Sequence, residues 1–215
     1  MFSTALKLFR HTLDAEKGVS TAINSGLIDL VNQDLIEATS QTVSDALAAG
    51  ERVWITSDLH FMHTNIIGYC DRPFFNVDSM TDALMATLQK VPKDELILFG
   101  GDMAMGNYQK AVELIRRLPG RKILIAGNHD LTRDGICKLA LEKDLFEAVV
   151  PFLAWLGYQG RLVVVSHYPI LVPDTYKNTP VLNYHGHLHE KTLPSTLMIK
   201  YMNVGWDINH ALNCL

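Results

Sequence analysis

The sequence predicts an α/β fold, a two-sheet β-sandwich flanked by helices in four layers (helix, sheet, sheet, helix), with a helical N-terminal extension. Three observations predict it. Short continuous apolar runs at residues 53–56, 95–99 and 122–126 alternate with stretches of helical periodicity at 79–90 and 108–118. That texture belongs to a sheet buried on both faces with parallel neighbours. From residue 146 onward strand-like runs follow one another with little helix between them, which predicts a second, more antiparallel sheet. Histidines and aspartates cluster directly behind the apolar runs, where open α/β sheets hold their ligands.

Two units are expected: residues 1–50 as the helical extension and 51–215 as the main domain. In the first, Leu6, Phe9 and Leu13 lie on one face of a short helix over 5–16. Leu27, Ile28, Leu30, Val31, Leu35, Ile36, Val43 and Leu47 recur at three- and four-residue steps. They predict one amphipathic helix opened by Asn24 or Ser25 and closed by Gly50. Both helices are expected to pack on the domain or to pair with another subunit. A lid or partner-binding arm is the alternative.

In the second unit, Met80, Leu84 and Leu88 share a helix face, and residues 108–118 are helical up to Pro119-Gly120. A further helix is expected over 134–143. Residues 146–156 and 161–165 read as strands joined by a hairpin turn at Gly157 to Gly160. Residues 181–184 and 196–204 are the remaining strands. Trp54, Trp155 and Trp206 are expected in the core or at sheet edges.

Composition narrows the function. With 215 residues, 48% of them hydrophobic, the chain has enough apolar material for a substantial core. No stretch approaches the roughly 20 apolar residues needed to span a membrane, and the N-terminus is a poor signal peptide. Cys70, Cys137 and Cys214 are odd in number and widely spaced, which points to free thiols in a reducing cytoplasm. None stands beside a histidine cluster in the sequence, so thiolate ligation of a metal is not expected. The net charge of −4 argues against duplex DNA as partner and leaves room for a small nucleotide.

Five clusters carry the chemistry: Asp58-Leu59-His60, Gly101-Asp102, Gly127-Asn128-His129-Asp130, Ser166-His167, and His185-Gly186-His187-Leu188-His189. Of the nine histidines, His60, His63, His129, His167, His185, His187 and His189 lie in or beside them. An aspartate two residues before a histidine, or a lone Gly-Asp, is common by chance and usually marks a turn. Three histidines within five residues rarely serve packing alone. The donors are carboxylates, imidazoles and one amide, without sulfur. This set suits Mn²⁺, Fe, Zn²⁺ or Ni²⁺ and is too large for one ion, so two ions sharing a carboxylate is the economical arrangement.

These blocks resemble the calcineurin-like metallophosphoesterase superfamily, over about residues 52–207 with every metal-binding block intact. The run from Ser57 to Ile67, followed by Arg72-Pro73-Phe74, looks like a small bacterial and phage branch, where a glycine usually stands in place of Met62. The resemblance implies one metal held by Asp58, His60, Asp102 and His189, and a second held by Asp102, Asn128, His167 and His187. It implies that His129 faces the scissile phosphate as a catalytic group, with Asp130 orienting it. It further implies in-line attack by a metal-bridging hydroxide, with Mn²⁺ first among the metals. His63, Asn65 and Arg72 are candidate substrate contacts, with loop-shaping or surface roles as their alternatives. His185 is read as support beneath the ligands, and Tyr168 and Pro169 as the pocket rim.

The expected function is therefore hydrolysis of a phosphate mono- or diester on a small phosphorylated or nucleotide substrate in the cytoplasm. Alternatives are a single-strand or RNA-end nuclease, a phosphoprotein phosphatase, and a non-catalytic binding module of the same fold. Oligomerisation through the N-terminal helices is a further expectation.

Overall fold

The computed structural model describes all residues, 1–215. Two sheets form its centre. In the first, β1 (Val53–Thr56), β2 (Leu96–Phe99), β3 (Arg121–Ile125) and β4 (Ala148–Val150) are parallel in the order β4-β3-β2-β1. Helices α5 (Val77–Leu88) and α6 (Tyr108–Arg116) connect β1 to β2 and β2 to β3. All four residues of β2 are buried, as expected of a strand covered on both faces. A short C-terminal strand, β9 (Asn213–Cys214), adds antiparallel to β1. It carries no apolar run and could not be read from the sequence.

The second sheet runs β5 (Phe152–Leu156), β6 (Leu162–Ser166), β7 (Val181–His185) and β8 (Ile199–Asn203). The hairpin expected around Gly157 to Gly160 is present, pairing β5 antiparallel to β6. The rest of the sheet is parallel, β6 to β7 and β7 to β8, which corrects the expectation of a more antiparallel sheet. The chain returns through long connections at 167–180 and 186–198 instead of hairpins. These connections begin with His167 and Gly186, so parallel pairing delivers both histidine clusters to one end of the sheet. The two sheets meet at that end, where Ser57 donates its N–H to Val204 and accepts that of Trp206.

The single strand expected over 146–156 is two strands in different sheets. Pro151 stands between β4 and β5 and has no N–H for a continuing ladder. The helix expected over 134–143 shrinks to a 3-10 turn at Lys138–Leu141. The Thr132 N–H donates to the Ile136 carbonyl and the Thr132 hydroxyl accepts the Ile136 N–H, Leu131 bridges Cys137, and Gly135 sits at φ 78°. This hairpin-like turn takes the residues a helix would have used.

The N-terminal segment forms three helices, α1 (Phe2–Ala15), α2 (Thr21–Asp29) and α3 (Gln33–Ala48). The apolar spacing predicted one helix where α2 and α3 stand. Asn32 separates them, because its side chain accepts the Leu35 N–H and caps a new helix. Ser20, rather than Asn24 or Ser25, caps α2. Leu8, Phe9, Leu13, Ile36 and Val43 are buried in the same cluster as the strands, and the Phe9 ring packs at a tilt against Phe152, 5.0 Å between centroids. The Ser40 hydroxyl accepts the Ala154 N–H, so α3 occupies a hydrogen-bonding group on edge strand β5. α2 lies backbone-to-backbone against the loop after β3: a Cβ on Gly26 would collide with the Gly135 carbonyl. The N-terminal helices thus buttress the segment that bears His129. No helix is long and apolar enough to cross a membrane.

Candidate metal centre

Asp58, Asp102 and Asn128 follow the carboxyl ends of β1, β2 and β3, while His167 and His187 follow those of β6 and β7. The loops after β1 and β2 run side by side as a short ladder. Asp58 donates to the Gly101 carbonyl, His60 to that of Asp102, and Phe61 to that of Met103. Within this ladder Asp58, His60 and Asp102 sit at φ 57°, 51° and 55°, and His187 and His189 at 66° and 52°. Left-handed backbone at a non-glycine residue costs on the order of 1–3 kcal/mol and persists only where the surroundings impose it. Met62 has φ 64°, so it keeps the conformation that glycine would adopt without strain.

Close approach explains two glycines. A Cβ on Gly127 would strike the Asp102 carboxylate, and one on Gly186 would strike Asp58 and Ser57. Only glycine lets these turns come so near to the carboxylates.

Asp102 is central. Its Oδ2 lies 3.6 Å from His60 Nε2 and 3.4 Å from His167 Nε2, between the two expected ligand sets. Its Oδ1 accepts the backbone N–H of His129 at 2.8 Å. His167 donates from Nδ1 to the Gly100 carbonyl at 2.8 Å, which aims Nε2 at the site, 3.0 Å from Asn128 Oδ1. Asp58 accepts the His187 N–H at both oxygens, 3.1 and 3.0 Å. Donor atoms of Asp58, His60 and His189 lie within 4.8 Å of one another, as do those of Asp58, Asp102 and His167. Asp58 therefore reaches toward both sets, whereas the resemblance gave it to one. His187 packs its ring at 5.2 Å from that of His167 and at 4.6 Å from Tyr168. Tyr168 is buried, so it forms the floor beneath these rings rather than the expected rim.

The residues fit divalent cations. Both nitrogens of His60 are buried and have no hydrogen-bond partner, an arrangement that is costly unless a ligand occupies them. Burial lowers His60 and His187 to about 3, so both are neutral imidazoles with a free lone pair. Asp58 and Asp102 are buried together and draw positive charge. Burial opposes protonation of His167, yet Asp102 and Asp58 raise it to about 10. Burial pushes Asp102 up, but His167 and His60 outweigh it and hold the carboxyl well below the ordinary range.

Three expectations need correction. Asp130 does not reach the ring of His129. Its carboxylate accepts the N–H groups of Asp102, Gly127 and Met103 at 2.8, 2.8 and 2.9 Å, tying the β2 and β3 loops together. Burial and the neighbouring Asp102 raise it to about 6. Arg72 cannot touch substrate, because its side chain is wholly buried and paired with Asp207. Cys70, remote in the sequence, comes within 4.8 Å of donor atoms of His189 and Asp207. Burial, with Asp207 adding to it, pushes its thiol up to about 12.

The other expected residues divide. His129 is exposed at the mouth, with its ring 5.3 Å from that of His60. His63 lines the same mouth, 5.4 Å from His60, and its Nδ1 is buried without a partner. Asn65 is exposed at the start of α4 (Ile66–Tyr69), and its carbonyl accepts the amides of Gly68 and Tyr69. His185 is buried, bonds the Gly186 carbonyl and packs against Tyr201. A cleft of about 200 Å³ opens beside His129, lined by Met105, Tyr108, Leu131, Thr132, Lys138 and Leu139 among others. Asp207 and Asn183 gave no signal in the sequence. Asn183 is buried and bonds Ile170, Val164 and Ser166, fixing the connection that carries His167.

This fold and donor set define a metallophosphoesterase. The chain belongs to the calcineurin-like phosphoesterase family, whose model matches residues 51–212. A segment of 82 residues is 40% identical to uncharacterized protein MJ1445 of Methanocaldococcus jannaschii, covering 37% of this chain and 47% of that protein. The match thus spans about half of that relative's length. Gene 66 protein of Mycobacterium phage D29 is 27% identical over 183 residues, 74% of this chain and 90% of the phage protein. Among solved structures, a protein of unknown function, AQ665 from Aquifex aeolicus, is similar with a TM-score of 0.56. It is 25% identical, with 76% of this chain and 95% of that one covered.

Proposed function

We propose that this chain is a cytoplasmic, di-metal phosphoesterase acting on a small nucleotide-type phosphate mono- or diester. The observation that carries the reading is the position of Asp102 Oδ2, between His60 and His167, with His129 exposed beside it. Asp58, His60, Asp102 and His189 would hold one ion, and Asp102, Asn128, His167 and His187 the other. Two divalent ions, Mn²⁺ first, supply a nucleophilic water at neutral pH and offset charge on an in-line phosphoryl displacement.

The chain's own groups do the rest. His129 meets the leaving oxygen at the mouth and gives it a proton. Its backbone is fixed by the N–H bond to Asp102, and its turn by Asp130. His63, whose ring stands 5.4 Å from that of His60, would contact a phosphate oxygen from the rim of the site. The cleft beside His129 receives the leaving group.

A substrate panel with Mn²⁺ tests the reading: an aryl phosphodiester, mononucleotides, 2′,3′- and 3′,5′-cyclic nucleotides, dinucleotides and short RNA. Hydrolysis of the aryl diester and of at least one small nucleotide, faster than of RNA, is expected. Cleavage confined to RNA would identify a nuclease. Inactivity on every substrate with Mn²⁺, Ni²⁺, Co²⁺ and Zn²⁺ would identify a binding module.

A further inference from the structure

Arg72 and Asp207 are separated by 135 residues and their side chains are fully buried against each other. Arg72 Nε and Nη2 donate to the two Asp207 oxygens at 2.7 and 3.0 Å, a bidentate pair. The same guanidinium donates to the Leu59 carbonyl at 2.9 Å and to the Asp58 carbonyl at 2.6 Å. Asp207 accepts His189 Nδ1–H at 2.8 Å. One ion pair thus grips the chain at Asp58-Leu59, beside two left-handed ligand residues, and the ring of a third ligand. Burying a guanidinium and a carboxylate is expensive, and hydrophobic replacements are often as stable. Stability alone therefore accounts poorly for this pair.

We propose that Arg72 and Asp207 form a positioning strap for the metal centre. Asp207 fixes His189 as the Nδ1–H tautomer, leaving Nε2 to face Asp58 and His60. Arg72 holds Asp207 in place and pins the carbonyls of Asp58 and Leu59, so that the carboxylate of Asp58 and the ring of His60 converge on the same point. An imidazole is a metal ligand only through an unprotonated nitrogen, and the partner of its other nitrogen decides which one that is. The proposal rests on the two-metal reading above.

The test uses the full chain. Nitrogen-15 NMR of the metal-free wild type, at a pH high enough to leave the ring neutral, is expected to show His189 protonated at Nδ1, and Asp207→Asn to show a mixture of tautomers. In Mn²⁺ titrations Asp207→Asn is expected to weaken one of two binding steps by roughly 10–100-fold, with the other unchanged. Asp207→Glu, which keeps the carboxylate, should recover part of the loss. If Asp207→Asn does not fold, Arg72→Lys serves, since one ammonium cannot reproduce the paired fork and both carbonyl bonds. It should weaken the same binding step. Wild-type affinity and tautomer in the variant that folds, or equal weakening of both steps, would overturn the strap. Absence of binding by the wild type would instead overturn the two-metal reading.

Discussion

Asp102→Ala is expected to abolish Mn²⁺-dependent hydrolysis and to disturb both ion sites at once. The argument is geometric. One oxygen, Oδ2, stands within 3.6 Å of His60 and 3.4 Å of His167, and no other carboxylate oxygen is placed between those two rings at such distances. Alanine removes it and also orphans the His129 N–H that Oδ1 accepts. Weakened metal binding should be visible without any substrate. A cation at a hundredfold excess over its Kd stabilises the folded state by about 2.7 kcal/mol per site. The wild type should therefore melt at a higher temperature in Mn²⁺, while Asp102→Ala should lose most of that shift. Two ions bound at full occupancy by the variant would refute the shared role of Asp102.

His129→Ala is expected to show the complementary pattern, in which metal binding is retained while the rate falls by roughly 10²–10⁴, the usual range for losing a general acid. His129 is exposed, and its backbone rather than its ring is tied to the site. Removing the imidazole leaves the turn, the Asp130 bonds and the ligand cluster in place. The loss should be greatest for alkoxide leaving groups and smallest for nitrophenolate, which departs without a proton. Comparing kcat for the two leaving groups with wild type and variant checks this. Loss of metal by His129→Ala, or an equal loss for both leaving groups, would contradict the assignment.

Local patterns made much of the fold legible. The apolar runs that became β1, β2 and β3 are buried on both faces and have helices between them, so each announced itself. That the histidines and aspartates gather at strand ends was legible for the same reason, because a short run followed by glycine and a polar donor is a local arrangement. What escaped was set at a distance or by one residue inside an apolar run. Residues 146–156 look like one strand, and Pro151, without an N–H for the ladder, parts them into two sheets. The parallel pairing of β7 and β8 depends on long connections with no signature of their own. The apolar spacing over 27–47 continues across Asn32, which caps α3 and breaks the run.

The same distinction governs the site. Arg72 reads as a candidate substrate contact because its guanidinium offers a bidentate fork that suits a phosphate. Its partner Asp207 lies far along the chain in α7 (Trp206–Asn209), a one-turn helix without a motif. Burial, which no pattern near Arg72 reveals, turns a substrate contact into a positioning residue. Asp130 is similar: adjacency to His129 suggested contact, but the 3-10 turn at Asn128–Asp130 directs its carboxylate to three amides instead. Cys70 shows the reverse case, a residue remote in sequence that folding brings beside His189.

The central claim, that two ions bound by these loops give the protein its hydrolytic activity, is tested most directly by titrating metal-free protein with Mn²⁺. Binding would be followed by calorimetry and hydrolysis of an aryl phosphodiester measured on the same samples. Two equivalents per chain are predicted, with activity rising as the second site fills. A single equivalent, or two equivalents with no hydrolysis under Mn²⁺, Ni²⁺, Co²⁺ or Zn²⁺, would contradict it.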